Sequence, residues 1–293
     1  MLNENGVIID DGTIARLDAG RFVITTTSSG AGRIAQWLEE WRQCEWPDLE
    51  VFVTPVTTQW ATIAISGPRA RDLLQRLGTD IAIDRESLPH MHVREGRIAG
   101  APARLYRVSF PGELGYEINV PARQGAALWR ELMDSGNELG VVPFGIESLL
   151  LLRLEKGFLH VGVDTDGTTS PADVGWGEIA MRKKTDFVGK RSLTRRDNLR
   201  GDRLQFVGLA ADDPEVLVSG AHLRLSGTTA GSDGWVTSAA LSPALGRPIA
   251  LAMLRGGQKR LGETIAVHDL DRRCTATVVA TPFYDPEGKR LHA

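Results

Sequence analysis

The alternation of apolar and polar positions changes character along the chain. Near the amino terminus, VII at 7–9 and RFVITT at 21–26 are short runs rich in β-branched residues, the pattern of strands. Asn5-Gly6 ahead of the first run is a two-residue turn signal, because both residue types tolerate positive φ. Only Met1 to Glu4 precede that turn, so the pattern predicts a hairpin whose first strand is cut short. GAGRIAQWLEEWRQ then sets Ile34, Trp37, Leu38 and Trp41 at helical spacing, one apolar stripe.

Farther on, EVFVT at 50–54 and WATIAIS at 60–66 predict strands. Gly67-Pro68 breaks the run, and RARDLLQRL places Ala70, Leu73, Leu74 and Leu77 on one helical face. Strands are predicted at 91–94 and 102–109, and PGELGYEINVP reads as a turn leading into another. A helix over 123–135 turns Leu128, Trp129, Leu132 and Met133 inward. The order over 50–135 is thus β-β-α-β-β-β-α, an α+β unit with helices on one side of an antiparallel sheet. IESLLLLRLEKG predicts a buried helix ended by Gly157, and DTDGTTSPADVGWG predicts a loop. After about residue 200, runs at 204–210, 221–226, 233–239, 249–254, 263–268 and 273–280 are punctuated by Gly and Pro. They predict a small β-barrel or sandwich.

Composition narrows the class. The chain has 293 residues, 42% of them hydrophobic and 24% charged, which suits a soluble globular protein of two or three domains. A net charge of −3 implies no broad attraction to nucleic acid or anionic lipid. Cys44 and Cys274 stand far apart without a motif, which suits a reducing, cytoplasmic setting. No run reaches the roughly 18 apolar residues of a membrane span.

Few residues carry candidate chemistry. Gly30-x-Gly32-x-x-Ala35 matches a dinucleotide fingerprint only in outline, because the acidic residues Asp48 and Glu50 fall before the next strand; a glycine-rich helix entrance is the plainer reading. His90 and His92 could chelate a metal, yet no third ligand is near in sequence. Asp10 and Asp11 differ in kind. Adjacent residues of an extended chain face opposite ways, so one carboxylate is expected inward, where it needs donors or a raised pKa. Such a group can hold an amine-bearing ligand or stabilise a developing cation; a turn or cap is the alternative. In PGELGYEINVP, Glu113, Tyr116 and Glu117 surround two glycines that allow close approach, a setting for a flat heterocycle bearing N–H donors or else a plain hairpin.

MLNENGVIIDD, ISGPRARDLLQRL, GELGYEINVP, LRLEKG, DFVGKRSL and SPALGRPIALAML, in this order, resemble the glycine-cleavage T-protein superfamily of folate-dependent aminomethyltransferases. TTTSSGAGRIAQWLEEWRQCEWPDL, EKGFLHVGVDTDGTTSPADVGW and PFYDPEGKRLH resemble its branch in the carboxy-terminal, folate-binding half of the heterotetrameric sarcosine oxidase α subunit. The resemblance implies an α+β fold: a cloverleaf of ferredoxin-like domains and a carboxy-terminal β-barrel around a folate cleft. It implies a remnant of the first domain at 1–49, a second domain at 50–135, a return segment at 136–200 and the barrel at 201–293. It also implies that the first domain is incomplete here. An uncovered apolar area of about 500 Å² costs about 12 kcal/mol, so the chain is expected to be marginal alone.

By the same resemblance, Asp10 is the catalytic carboxylate, and Glu117, with Tyr116 beside it, binds the pterin; Glu113 joins them as a cofactor-binding candidate from the glycine-flanked PGELGYEINVP stretch. Thr27 stands where many members have a folate-contacting Asn, and Leu149 where they have an Arg. The implied cofactor is tetrahydrofolate. The implied partner is a flavin-bearing subunit of an amine oxidase, since no flavin or NAD motif is visible on this chain. The implied reaction passes a one-carbon unit from an amine-derived imine to tetrahydrofolate, giving 5,10-methylenetetrahydrofolate. A stand-alone aminomethyl- or methyltransferase, and a non-catalytic folate-binding remnant, are the alternatives.

Overall fold

The computed structural model describes residues 1–227 and 231–293. Internal contacts divide the chain into two units: Asp10–Ile146 with Glu287–Ala293, and Met1–Ile9 with Glu147–Pro286.

The first of these units opens with a ribbon, β1 (Ile14–Arg16) paired antiparallel with β2 (Phe22–Ile24), followed by α1 (Ala31–Cys44). Of the predicted stripe on α1 only Ile34 is buried; Trp37 meets Trp41 edge-on, and Trp41 stacks on Trp46. The predicted strand at 50–54 does not form. No segment pairs with it, Phe52 is 96% exposed, and β propensity without a partner strand fixes nothing.

The rest of the unit is β3 (Trp60–Ser66), α2 (Ala70–Leu77), β4 (Val93–Ile98), β5 (Ala101–Tyr106), β6 (Gly115–Pro121) and α3 (Gly125–Gly136). The sheet is antiparallel in the order β3-β6-β5-β4. The observed sequence of elements is therefore the predicted one less its first strand. The β4–β5 turn, Ala99-Gly100, has positive φ at both residues, as a tight hairpin demands. An alanine there hides the turn from sequence reading and explains why the predicted strand ends were displaced. Ala70, Leu73, Leu74 and Leu77 of α2 and Leu128 and Leu132 of α3 pack on Ile65, Leu105, Tyr116, Ile118 and Val120. Trp129, predicted inward, is 45% exposed.

The other unit begins at the hairpin. Gly6 has φ +76° and donates to the Asn3 carbonyl at 3.0 Å, while Asn3 donates to Val7 at 3.0 Å. The loop therefore spans Glu4 to Gly6 rather than two residues. The Asn3 side-chain oxygen takes the N–H groups of Asn5 and Val7, leaving Gly6 alone in the left-handed region. The predicted strand at 7–9 reduces to one bridge, Leu2 with Ile8.

Then come α4 (Ile146–Glu155), α5 (Gly177–Arg182), β7 (Leu204–Ala211), β8 (His222–Arg224), β9 (Gly234–Ser242), β10 (Arg247–Arg255), β11 (Thr264–Asp269) and β12 (Arg272–Val279). The six strands close into a barrel in the order β10-β7-β12-β11-β8-β9. Its interior is apolar, with Leu209, Leu223, Val236, Leu254, Val267 and Val278 buried.

Helix α4 departs from expectation. Leu149 to Leu152 are half-buried or less and Ile146 is 64% exposed, whereas at its end Leu154 and the charged residues around it are buried. Arg153 donates to Asp164 and Ser238, each at 2.5 Å; Asp164 also takes the hydroxyl of Thr237. Glu155 accepts from Ser242 at 2.5 Å and the Ala244 N–H at 3.2 Å. Lys156 reaches the Asp285 carboxylate at 3.1 Å. Gly157 closes the helix as predicted: at φ +61° it donates to Leu154 while Phe158 donates to Arg153.

Candidate active site

All the residues of interest lie within the unit Asp10–Ile146 with Glu287–Ala293. Asp10 is 1% exposed and Asp11 is exposed, so the extended backbone turns the first carboxylate in and the second out. Asp10 Oδ1 accepts the N–H groups of Asp11 at 2.8 Å and Thr27 at 3.2 Å. Its Oδ2 lies 3.7 Å from Nη2 of Arg33, on the first turn of α1. Gly30, which precedes that helix, is the wall of this cradle: a Cβ there would stand 1.7 Å from Asp10 Oδ2. The glycine-rich motif thus makes room for a carboxylate. Thr27 holds Asp10 through its backbone, and its hydroxyl lies on the same wall.

Glu117 sits on β6 opposite Ala64 of β3 and Tyr106 of β5, on the sheet face away from α2 and α3. No donor meets its carboxylate among the described residues, and burial pushes its pKa above the usual carboxylate value. Tyr106 shares that face; burial, foremost, raises its phenol too. A cavity of about 180 Å³ runs from Thr13–Arg16 of the ribbon to Met91–Arg94, Tyr106 and Val108. Its lining includes Tyr106, the cross-strand neighbour of Glu117, but neither Asp10 nor Glu117 itself.

Tyr116 does not join Glu117. Adjacent residues of a strand face opposite ways, and Tyr116 is fully buried in the helix-side core. Its hydroxyl takes the Nε proton of Arg71 at 3.1 Å, and the Arg107 guanidinium lies 5.2 Å from its ring centre. The expectation that it lies beside Glu117 against a ligand is corrected accordingly. Glu113 faces Arg290 at 3.2 Å, an ion pair that ties the 287–293 segment down. Arg107, buried, reinforces that tie by donating to the Leu291 carbonyl at 2.7 Å.

Sequence reading missed Arg33, Tyr106 and two serines. Ser66 lies opposite Gly115 and next to Ile65 of the helix-side core, so it shares the face of Glu117. Its Oγ is buried without a hydrogen-bond partner, as is that of Ser109. Gly115 allows Ser109 to lie over the strand: a Cβ at Gly115 would stand 2.9 Å from Ser109 Oγ. The only signal in the sequence was that glycine.

His90 and His92 form no chelate. His90 packs edge-on against His292 at 5.1 Å, and His92 Nδ1 lies 3.2 Å from the His90 carbonyl. Among the described residues no group of three or more His, Cys, Asp or Glu could hold a metal ion. Nor is any helix among them long and apolar enough to cross a membrane.

A buried, donor-held aspartate and a glutamate kept without a partner, beside one antiparallel sheet and with a closed barrel elsewhere in the chain, define a class. Residues 1–184 match the GCVT N-terminal domain family and residues 205–285 the glycine cleavage T-protein C-terminal barrel domain; the chain belongs to the glycine-cleavage T-protein family. Over 297 residues it is 41% identical to the sarcosine oxidase subunit alpha of Corynebacterium sp. (strain P-1), covering 99% of this chain and 31% of that protein. It therefore spans about a third of the length of that relative. The aminomethyltransferase of Symbiobacterium thermophilum is 30% identical over 293 residues, covering 99% of this chain and 76% of that one. The crystal structure of the glycine cleavage system aminomethyltransferase T from Bartonella henselae shares the fold. Its TM-score is 0.81 at 23% identity, covering 98% of this chain and 75% of that one.

Proposed function

We propose that this chain is the folate-binding, aminomethyl-transferring part of a sarcosine oxidase α-like subunit. It takes a one-carbon unit from an amine-derived imine and passes it to tetrahydrofolate. The observation that carries this reading is Glu117. A carboxylate held on a sheet face without a donor, its pKa raised by burial, is costly unless a ligand supplies the N–H groups it lacks. The amidine-like edge of a pterin offers two. Bonds of this charge-assisted kind contribute about 1.5–3 kcal/mol each.

When bound, tetrahydrofolate supplies the nucleophilic nitrogen that accepts the one-carbon unit. Glu117 would orient the ring through its N–H edge. Asp10, fixed by the Thr27 and Asp11 amides, would place negative charge where positive charge develops during transfer. Thr27 acts through Asp10. Glu113 and Tyr116, committed to Arg290 and Arg71, have structural parts in this reading. The imine would come from a flavin-bearing partner subunit of a cytoplasmic amine oxidase; the 41% identity to a sarcosine oxidase subunit alpha supports a partner subunit.

A second reading, a stand-alone aminomethyltransferase, is favoured by the relative from Symbiobacterium, three-quarters of which this chain covers. Titration with tetrahydrofolate tests the site in either case. Glu117→Ala should weaken binding at least tenfold, and Asp10→Ala should abolish transfer while leaving most of the binding. Unchanged binding and turnover in both variants would overturn the assignment. Co-purification of a flavoprotein separates the two readings.

A further inference from the structure

The sheet face that carries Glu117 holds two more groups that the proposed reaction does not use. Ser66 ends β3 directly opposite Gly115, and Ser109 rests on Gly115 from the other side. Both hydroxyl oxygens are buried, and neither has a hydrogen-bond partner. Two such hydroxyls about one glycine are uncommon, because buried polar atoms are nearly always satisfied. Glu117 follows Gly115 by two residues on the same face, a rise of about 7 Å. A carboxylate can only accept hydrogen bonds, whereas a serine hydroxyl can donate. The face therefore reads acceptor at Glu117 and donor at Ser66 and Ser109.

We propose that Ser66 and Ser109 donate to a ring carbonyl adjacent to the N–H edge that Glu117 takes, and so select a 2-amino-4-oxo ring over a 2,4-diamino ring. This rests on the folate reading above and deepens it. In a 2-amino-4-oxo ring the amino group and the ring N–H are donors and the neighbouring carbonyl is an acceptor, matching the face group by group. In the 2,4-diamino ring that carbonyl is replaced by an amino group and the ring nitrogen beside it loses its proton. The hydroxyls could then only accept, their own protons left without a partner, and one carboxylate oxygen of Glu117 would lose its donor. Gly115 is then a specificity element, since any side chain there displaces Ser109.

The test measures binding of 5-formyltetrahydrofolate and of 4-amino-4-deoxyfolate to the full chain and to Ser66→Ala, Ser109→Ala, the double variant and Glu117→Gln. The parent should prefer the 4-oxo ligand. Each serine variant should lose about three- to tenfold affinity for it. Affinity for the 4-amino ligand should hold or rise, so that the double variant discriminates less than the parent and keeps only the preference that Glu117 itself has for the ring N–H. Gly115→Ala should behave as Ser109→Ala does, and unchanged melting temperatures of the serine variants would exclude a folding effect. Loss of binding in Glu117→Gln with full discrimination retained in the double serine variant would overturn this proposal and leave the folate reading standing. A parent that binds neither ligand would overturn both.

Discussion

A single carboxyl group shows how function and stability oppose each other at this site. Burial raises the pKa of Glu117, so the native state holds its proton more tightly than the unfolded chain does. Between the unfolded value, near 4.5, and the raised native value, stability falls as pH rises, and above that window the loss is complete. Glu117→Gln removes the ionisation. Its melting temperature should exceed that of the parent by a few degrees at pH 7–8, with the gap closing below about pH 4.5. Thermal scans across pH would show this, and a parent more stable than the variant at neutral pH would contradict it. The same substitution should abolish the loss of folate affinity on acidification, because the charge that recognises the ring would be gone. At this scale the sequence was partly legible. Alternation along an extended chain announced one inward carboxylate of the Asp10-Asp11 pair, but the same alternation, applied to Tyr116 and Glu117, separates two residues that a motif joins. Ser66 and Ser109 could not be found, since nothing in a serine marks it as buried and unpartnered.

Among elements, the contrast lies between strands and helix α4. Barrel strands were legible because each is a short apolar run bounded by turn residues. The 50–54 run had the same texture and no partner. Helix α4 misled because hydrophobicity was taken as burial, while of its apolar side chains only Leu154 is fully buried, beside Arg153, Glu155 and Lys156. The LRLEKG stretch is thus a set of plugs, each charge meeting a specific partner: Asp164, Ser242 or Asp285. Breaking a buried pair leaves an uncompensated charge and costs about 3–5 kcal/mol. Arg153→Met should therefore destabilise the unit Met1–Ile9 with Glu147–Pro286 by that amount in urea unfolding. Adding Asp164→Asn should recover part of it, because a neutral amide is cheaper to bury. A double variant no more stable than the single one would show that Asp164 matters for its bonds to Thr237 and His160 rather than for its charge.

Across the whole molecule, the two units differ in how their sheets end. The four-stranded sheet leaves β3 and β4 as edges, and the β1–β2 ribbon exposes Ile14, Phe22 and Ile24. Edges and exposed apolar strands are templates for unwanted pairing. The barrel has no edge, since every strand has two neighbours. That closure governs what a break in the chain does. A protease site placed at Asp213–Glu215, between β7 and β8, would cut two segments that are not adjacent in the barrel. β7 lies between β10 and β12, while β8 lies between β11 and β9. Every partner of β7 is then on the far side of the cut, so the severed pieces remain interlocked strand by strand. The nicked protein should elute from gel filtration as the intact one does and show two bands only under denaturing conditions. A ring of strands, unlike an open sheet, turns the loss of a covalent bond into a local event.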